Sequence, residues 1–141
     1  MNDKNQNIKV LVADDSAYYN RMMTSQINNY LKLLELENQV SFELHSFSSY
    51  SEFMMNNDKD FDVAIIDFYL SKGSTGTEIL EEIRKEREDC KAIVISNSRN
   101  IETAVQSKMD GFNEFVHKDD RFAMPRLCFF VEQAMQQKLS A

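Results

Sequence analysis

The stretch IKVLVADD, residues 8–15, is a short apolar run that ends on two carboxylates. An apolar run of this length favours a strand buried on both faces, as in a parallel sheet, over a helix. Runs of the same kind recur at 62–66 and 92–95. Two further strands are predicted, one at 40–44, where apolar and polar residues alternate, and one at 112–116. The chain therefore offers five strands with room for a helix between each pair.

Helical periodicity fills the segments between these strands. Apolar residues recur at three- and four-residue steps after Ser16, which is suited to cap a helix start. Ser49 and Thr75 each precede a glutamate by three residues, which is the spacing of a capping box. The predicted helices are 16–37, the segments after Ser49 and Thr75, the segment from Asn100 (apolar residues Ile101, Ala104 and Val105) to the residue before Gly111, and 122–139.

This alternation of strands and helices predicts an α/β fold. The strands should pair in parallel through right-handed crossovers, which gives a doubly wound sheet. In such sheets the ligand site lies beyond the carboxyl ends of the strands, where the strand order reverses. We expect a single domain over 1–141, with a disordered lead-in at 1–6 and no output domain after the last helix.

Composition narrows the function classes. The net charge of the 141 residues is −7, which argues against a nucleic-acid-binding surface because such a surface is basic. The two cysteines, Cys90 and Cys128, are too few for a disulfide framework, and this favours a reducing, cytoplasmic location. No apolar run approaches the roughly 20 residues that a membrane span needs, so a membrane partner is not expected.

Polar side chains stand at the ends of four predicted strands. Asp14 and Asp15 follow the first, Asp67 the third, Ser96 the fourth and Lys118 the fifth. Because the carboxyl ends of parallel strands meet at one edge, these side chains should converge. Each residue alone is weak support for a site, since loop aspartates, serines and lysines are common. Their agreement at four separate strand ends is the informative observation.

The chemistry of this set is that of phosphoryl transfer. Three clustered carboxylates repel one another, and Mg²⁺ with its preference for oxygen ligands relieves that repulsion. Lys118 supplies a positive charge for a phosphoryl oxygen and Ser96 a hydroxyl donor. A carboxylate is ionised at neutral pH, so it can act as the nucleophile without a base. The set predicts transfer of a phosphoryl group onto an aspartate.

The pattern resembles the response-regulator receiver domains of two-component signalling, over about 8–139. The matching stretches are VLVADDS (10–16), VAIID (63–67), AIVIS (92–96) and FNEFVHK (112–118). The resemblance implies a flavodoxin-like, five-stranded parallel sheet of order 2-1-3-4-5 with helices on both faces. It further implies a single-domain response regulator of the chemotaxis type.

The resemblance also implies residue roles. Asp67 is the phosphoacceptor, which takes its phosphoryl group from the phosphohistidine of a histidine kinase or phosphotransfer protein. Asp15 and Asp67 bind Mg²⁺ directly, Asp14 helps through water, and the backbone carbonyl of Tyr69 is a further ligand. Lys118 pairs with Asp67 and later contacts the phosphate.

Two more roles concern the switch. Ser96 hydrogen-bonds the phosphoryl group, and Phe115, three residues before the lysine, is the aromatic switch residue. When the Phe115 ring rotates inward, the surface of helix four, strand five and helix five repacks. An unknown downstream protein binds to that surface.

Three departures of the sequence from the family pattern lie close to the site. Asp119 replaces the usual proline after the lysine and adds a negative charge near it, and Ser71 replaces another proline, in the loop after the phosphoacceptor. Tyr69 is bulky at a position beside the phosphate, where it is expected to hinder the hydrolytic water.

Three other functions compete. A receiver-like interaction module that never takes phosphate would have no need of the full acid set. A hydrolase that forms an aspartyl phosphate would need a second aspartate where Tyr69 stands. A nucleotide-binding protein would need a glycine-rich loop after a strand, and none is present in the sequence.

Overall fold

A computed structural model describes residues 6–70 and 73–140 of the chain. Five strands alternate with five helices. The strands are β1 (Gln6–Ala13), β2 (Val40–Phe47), β3 (Val63–Asp67), β4 (Lys91–Ser96) and β5 (Glu114–His117). The helices are α1 (Ala17–Glu37), α2 (Tyr50–Met55), α3 (Gly76–Glu86), α4 (Ile101–Met109) and α5 (Ala123–Ser140).

All five strands form one parallel sheet of order β2-β1-β3-β4-β5, which confirms the predicted fold class. Successive residues of β1 point to opposite faces, so that Val10 and Val12 enter one core and Leu11 and Ala13 the other. Helices α1 and α5 cover the first face, and α2 and α3 cover the second. The strand order reverses between β1 and β3, which places the switch point of the sheet beside Asp14 and Asp67.

The first strand is longer than predicted. It begins at Gln6, which pairs with Val40 of β2, so the prediction that residue 6 belongs to a disordered lead-in is wrong. Gln6 belongs to the strand because its backbone pairs with β2, and its polar side chain gives no sign of this pairing. The remainder of that predicted lead-in, 1–5, lies outside the described residues.

Helix α4 buries polar side chains and exposes apolar ones, which is the reverse of an ordinary amphipathic helix. Its apolar residues Ile101 and Val105 are 76% and 53% exposed, whereas Thr103 and Ser107 are buried. An apolar stripe indicates a helix but does not tell which side faces the sheet. Here the buried hydroxyls are satisfied by hydrogen bonds, so the polar side can face inward.

The start of α3 lies directly against the end of β3. A Cβ atom on Gly76 would come within 2.5 Å of the backbone oxygen of Asp67 and of Ile66 Cγ2. The amide of Gly76 also donates to the carbonyl of Phe68 at 2.8 Å. Glycine is therefore required here for steric reasons, and its contact fixes the backbone on which Asp67 stands.

None of the helices in the described part of the chain combines the length and the apolar character that a bilayer span requires.

Candidate functional site

The three predicted carboxylates converge at the carboxyl edge of the sheet. Asp14 and Asp15 follow β1, and Asp67 is the last residue of β3. Each contributes a carboxylate oxygen to a group whose members all lie within 4.8 Å of one another. Asp14 and Asp67 are buried, and Asp15 is exposed. The cluster is therefore anchored in the core and open to solvent on one side.

Lys118 joins the two buried carboxylates. Its Nζ lies 2.8 Å from Asp14 Oδ2 and 3.0 Å from Asp67 Oδ2, and its side chain is only 5% exposed. The lysine follows β5, and its amide donates to the carbonyl of Ser96 at 2.9 Å, which extends the pairing with β4. One ammonium thus bridges strand ends that are distant in the sequence.

Burial dominates the electrostatics of this group. Burial of Asp67, with the nearby charge of Asp14, raises its pKa to about 6, and the charge of Lys118 opposes that rise. Burial alone would lower the pKa of Lys118. The hydrogen bond to Asp14 and the charge of Asp67 outweigh it, so the pKa of the ammonium is raised. At neutral pH, Asp67 is ionised and Lys118 is protonated.

Ser96 forms part of the wall of the site. It is the buried last residue of β4, and its Oγ accepts a hydrogen bond from the amide of Ser98 at 3.0 Å. Ser96 lines a cleft of about 240 Å³ together with Asp15, Asp67 and Lys118. The residues that line this cleft are Asp15, Ser16, Asp67, Tyr69, Ser96, Asn97, Ser98 and Lys118. A cleft of this size admits a phosphoryl group and water.

Asn20 supports the acidic pair from the first turns of α1. Its Nδ2 donates to the carbonyl of Asp14 at 2.9 Å and to that of Phe47 at 3.0 Å. The amide of Ser16 donates to Asp14 Oδ1 at 2.9 Å. The sequence analysis missed Asn20. The sequence did contain one indication of its role. Asn20 is a polar residue four positions after the helix cap Ser16, on a helix that begins at the site.

The donor set fits a hard divalent cation such as Mg²⁺. All its ligand atoms are carboxylate oxygens, as this cation prefers. Asp14 Oδ2 is fully buried and pairs with the ammonium of Lys118 at 2.8 Å. The exposed Asp15 leaves the solvent side free for water or phosphate oxygens.

Tyr69 borders the same cleft, as predicted. Its amide donates to Asp67 Oδ1 at 3.3 Å, and its residue is 53% exposed. The ring hydroxyl lies 3.2 Å from Thr103 Oγ1 in α4. The sequence analysis missed Thr103 and Ser98, since no local spacing links these hydroxyls to the strand ends. The role of the Tyr69 backbone carbonyl as a metal ligand stays a prediction.

The predicted switch residue lies outside this cleft. Phe115 is half-buried against the core on the α2 and α3 side of the sheet, and it lines a neighbouring cleft with Ile101 and Ala104. Asp119 lines that neighbouring cleft, with its Oδ2 3.4 Å from Nη2 of Arg99. Its charge is thus directed toward an arginine. Ser71 lies outside the described residues.

Comparison with known proteins shows the family of the chain. Residues 10–128 match the sequence profile of the response regulator receiver domain. No curated protein matches the chain.

Solved structures share the fold. The chain is 20% identical to a response regulator receiver protein of Pseudoalteromonas atlantica, with a TM-score of 0.72 over 92% of this chain and 98% of that one. It is 23% identical to a receiver domain protein of Clostridium thermocellum, with a TM-score of 0.70 over 93% and 96% of the two chains. The response regulator DrrB of Thermotoga maritima is 18% identical, with a TM-score of 0.69 over 93% of this chain. The match covers 54% of DrrB, so this chain spans about half its length.

The profile match extends from β1 into α5 and includes all the strand-end residues discussed above. The chain therefore belongs to the family of response regulator receiver domains of two-component signalling.

Proposed function

We propose that this receiver domain accepts a phosphoryl group on Asp67 in a Mg²⁺-dependent reaction. The donor is the phosphohistidine of a histidine kinase or of a phosphotransfer protein. The observation that carries this proposal is the convergence of Asp14, Asp15 and Asp67 within 4.8 Å, with Lys118 paired to the two buried acids. A cluster that served only the fold would not need an exposed carboxylate beside two buried ones.

The transfer is a displacement at phosphorus. An ionised oxygen of Asp67 forms a bond to the phosphorus atom while the nitrogen–phosphorus bond of the phosphohistidine breaks. The electron pair of that bond goes to the imidazole nitrogen, which takes up a proton, and Asp67 becomes an acyl phosphate. With a pKa of about 6, Asp67 is present mainly as the nucleophilic carboxylate at neutral pH.

The other residues of the site balance charge. Asp14, Asp15 and Asp67 would hold Mg²⁺, which supplies positive charge to the phosphoryl oxygens, and the carbonyl of Tyr69 is predicted to join them. Lys118 stays bound to Asp14 when Asp67 is modified, so its ammonium remains in place to contact the phosphoryl group. Ser96 lines the same cleft and would offer its hydroxyl to the phosphoryl group.

The output is proposed to be a change in the face formed by α4, β5 and α5. This face exposes apolar side chains, as a protein-binding surface does: Ile101, Val105, Met109 and Phe122. Phe115 lines a cleft with Ile101 and Ala104 of α4, and Ser98 lines both this cleft and the phosphoryl cleft. A shift of Ser96 toward the phosphate would alter the packing of that ring.

The test is incubation with Mg²⁺ and acetyl phosphate, followed by intact mass measurement. The unaltered protein should gain the mass of one phosphoryl group, and Asp67→Asn should gain none. Asp119→Asn is the matched control, since it removes an exposed carboxylate outside the cleft and should leave uptake intact.

Two outcomes would contradict the proposal. Uptake that persists in Asp67→Asn would refute the site. No uptake by the unaltered protein, from acetyl phosphate or from a panel of histidine kinases, would favour a receiver-like interaction module instead.

A further inference from the structure

Three hydroxyl groups connect the walls of the cleft through α4. Tyr69 Oη lies 3.2 Å from Thr103 Oγ1, and Thr103 Oγ1 lies 3.0 Å from Ser98 Oγ. Tyr69 and Ser98 line the phosphoryl cleft, whereas Thr103 does not. Thr103 is 4% exposed. We call the series Tyr69, Thr103 and Ser98 the hydroxyl chain.

The hydroxyl chain has a consistent set of donors. A hydroxyl carries one proton, so Tyr69 can donate to Thr103 and Thr103 to Ser98. Ser98 Oγ also accepts from the amide of Asn100 at 3.1 Å, and the Ser98 amide donates to Ser96 Oγ at 3.0 Å. The hydroxyl chain thus runs from Tyr69 to Ser98, and the backbone amide of Ser98 links it to Ser96, whose hydroxyl is expected to bind the phosphoryl group.

Thr103 is also the inner anchor of α4. Of the two buried side chains of that helix, Ser107 bonds to the carbonyl of Ala104 within the helix, at 2.8 Å. Thr103 instead bonds to side chains outside the helix. The apolar residues Ile101 and Val105 face outward and add little to the attachment. The hydroxyl chain therefore couples the position of α4 to the shape of the cleft.

We propose that Thr103 is a positioning residue that holds the Tyr69 ring at the mouth of the cleft and thereby sets the lifetime of the phosphoryl group on Asp67. This inference rests on the proposed function. A water molecule that hydrolyses the acyl phosphate must enter from the solvent side, where Tyr69 forms part of the wall. A ring fixed at both its backbone and its hydroxyl restricts that entry more than a ring free to rotate.

Coupling of this kind acts in both directions. If the position of α4 determines the position of the ring, then displacement of α4 changes the rate of hydrolysis. The equilibrium between ring position and helix position is reciprocal, so a held ring favours the undisplaced helix. A partner that binds the displaced helix would release the ring and thereby change the rate of phosphoryl loss. Thr103 is the residue through which both effects pass, because its single hydroxyl contacts Tyr69 and Ser98.

The experiment compares four variants after phosphorylation by acetyl phosphate and removal of the donor. Thr103→Val removes the hydroxyl and keeps the shape, Tyr69→Phe removes only the ring hydroxyl, the double variant removes both, and Thr103→Ser keeps a hydroxyl. The measured quantity is the first-order rate of phosphoryl loss from Asp67. Thr103→Val and Tyr69→Phe should each raise it, by about two- to tenfold for the loss of one hydrogen bond.

Rescue and coupling separate this role from simple packing. Thr103→Ser should restore the rate of the unaltered protein. The double variant should be no faster than the faster single variant, because both changes break the same contact. A Thr103→Val protein that takes up phosphate and loses it at the original rate would overturn the inference. So would single effects that multiply in the double variant.

If Thr103→Val does not fold, Tyr69→Phe decides alone, since its ring is half exposed. An unchanged rate in that variant would overturn the inference. Failure of the proposed function looks different, because the unaltered protein would then take up no phosphate at all.

Discussion

Lys118 is bound as closely to Asp14, at 2.8 Å, as to the proposed phosphoacceptor Asp67, at 3.0 Å. The ammonium is therefore also held by a carboxylate that the proposed transfer does not modify. In the proposed reaction, Lys118 would not have to move to a new position when Asp67 becomes an acyl phosphate. Its charge is placed in advance where negative charge appears on the phosphoryl oxygens.

Replacement of Lys118 by methionine should weaken both stability and phosphorylation. Two buried carboxylates would lose their cation, and the free energy of unfolding in a chelating buffer should fall by up to roughly 3–5 kcal/mol. Binding of Mg²⁺ should survive, because the carboxylates remain. Urea denaturation and calorimetry with Mg²⁺ measure the two effects, and unchanged phosphorylation would contradict the role given to Lys118.

Asp67→Asn should make the protein more stable at neutral pH. Burial raises the pKa of Asp67 from its ordinary 3.8 to about 6, so between these values the folded chain binds more protons than the unfolded chain. The free energy of unfolding then falls as the pH rises through this window, and the loss is complete above it. Asp67→Asn lacks this cost, so its free energy of unfolding should be higher by roughly 1–3 kcal/mol at pH 7. Because solvent in the cleft screens the charge of Asp67, we expect a value near the lower end of this range.

This gain should vanish below pH 3.8, where the carboxyl is protonated in both states. Urea denaturation of both proteins from roughly pH 3.5 to 7.5, a range that brackets both pKa values, measures the difference in the free energy of unfolding. A chelator is present throughout. A difference that does not change with pH would show that Asp67 carries no burial cost.

Gly76→Ala should disturb the site through the contact between α3 and β3. The added Cβ would meet the backbone oxygen of Asp67 and a methyl of Ile66 at 2.5 Å, so α3 or β3 must shift. Overpacking of this kind costs roughly 1–3 kcal/mol. Because the shift reaches the backbone of Asp67, phosphorylation should slow as well. Glu81→Ala, at an exposed position on the same helix, is the control and should change neither quantity appreciably.

Asp62 should matter for stability and not for phosphorylation. It lies at the opposite end of β3 from Asp67, its side chain is 8% exposed, and it accepts the amide of Lys9 at 2.8 Å. Arg87 and Lys138 both form ion pairs with it. Asp62→Asn should lower the free energy of unfolding by roughly 1–3 kcal/mol, since it leaves these cations poorly paired.

The control for that change is Asp60→Asn. Asp60 also pairs with Arg87, but its side chain is 52% exposed, so its loss should cost far less. Both variants should take up phosphate at the original rate. Loss of phosphorylation in Asp62→Asn at a temperature where it remains folded would contradict the separation of the two ends of the sheet.

The strands and their ends were predictable because the physics is local. A short apolar run that ends in a charged residue marks both a buried strand and its exit from the core, and parallel pairing then brings Asp14, Asp67 and Lys118 to one edge. The sequence contains all of these signals in order. The helix caps Ser16 and Ser49 were equally predictable, since each accepts a hydrogen bond from an amide three residues away.

What could not be predicted depends on distant partners. The inward face of α4 is set by the hydroxyls that Thr103 meets in Tyr69 and Ser98, and no periodicity within the helix specifies them. The same holds for Gln6, whose place in β1 comes from pairing with β2. Asn20 was overlooked because its partners are two backbone carbonyls from separate segments.

Helix α4, with hydroxyls toward the sheet and aliphatic side chains toward water, has a thermodynamic consequence. Peeling an ordinary helix from its core hydrates apolar surface, which gives the process a large heat capacity change and a strong dependence on temperature. Detachment of α4 would hydrate the polar side chains Thr103 and Ser107 as well as apolar surface at Ala104 and Phe115. Hydration of polar surface has the opposite heat capacity sign, so the two contributions partly cancel. The equilibrium position of this helix should therefore vary little between cold and warm conditions, even where the stability of the whole domain varies steeply.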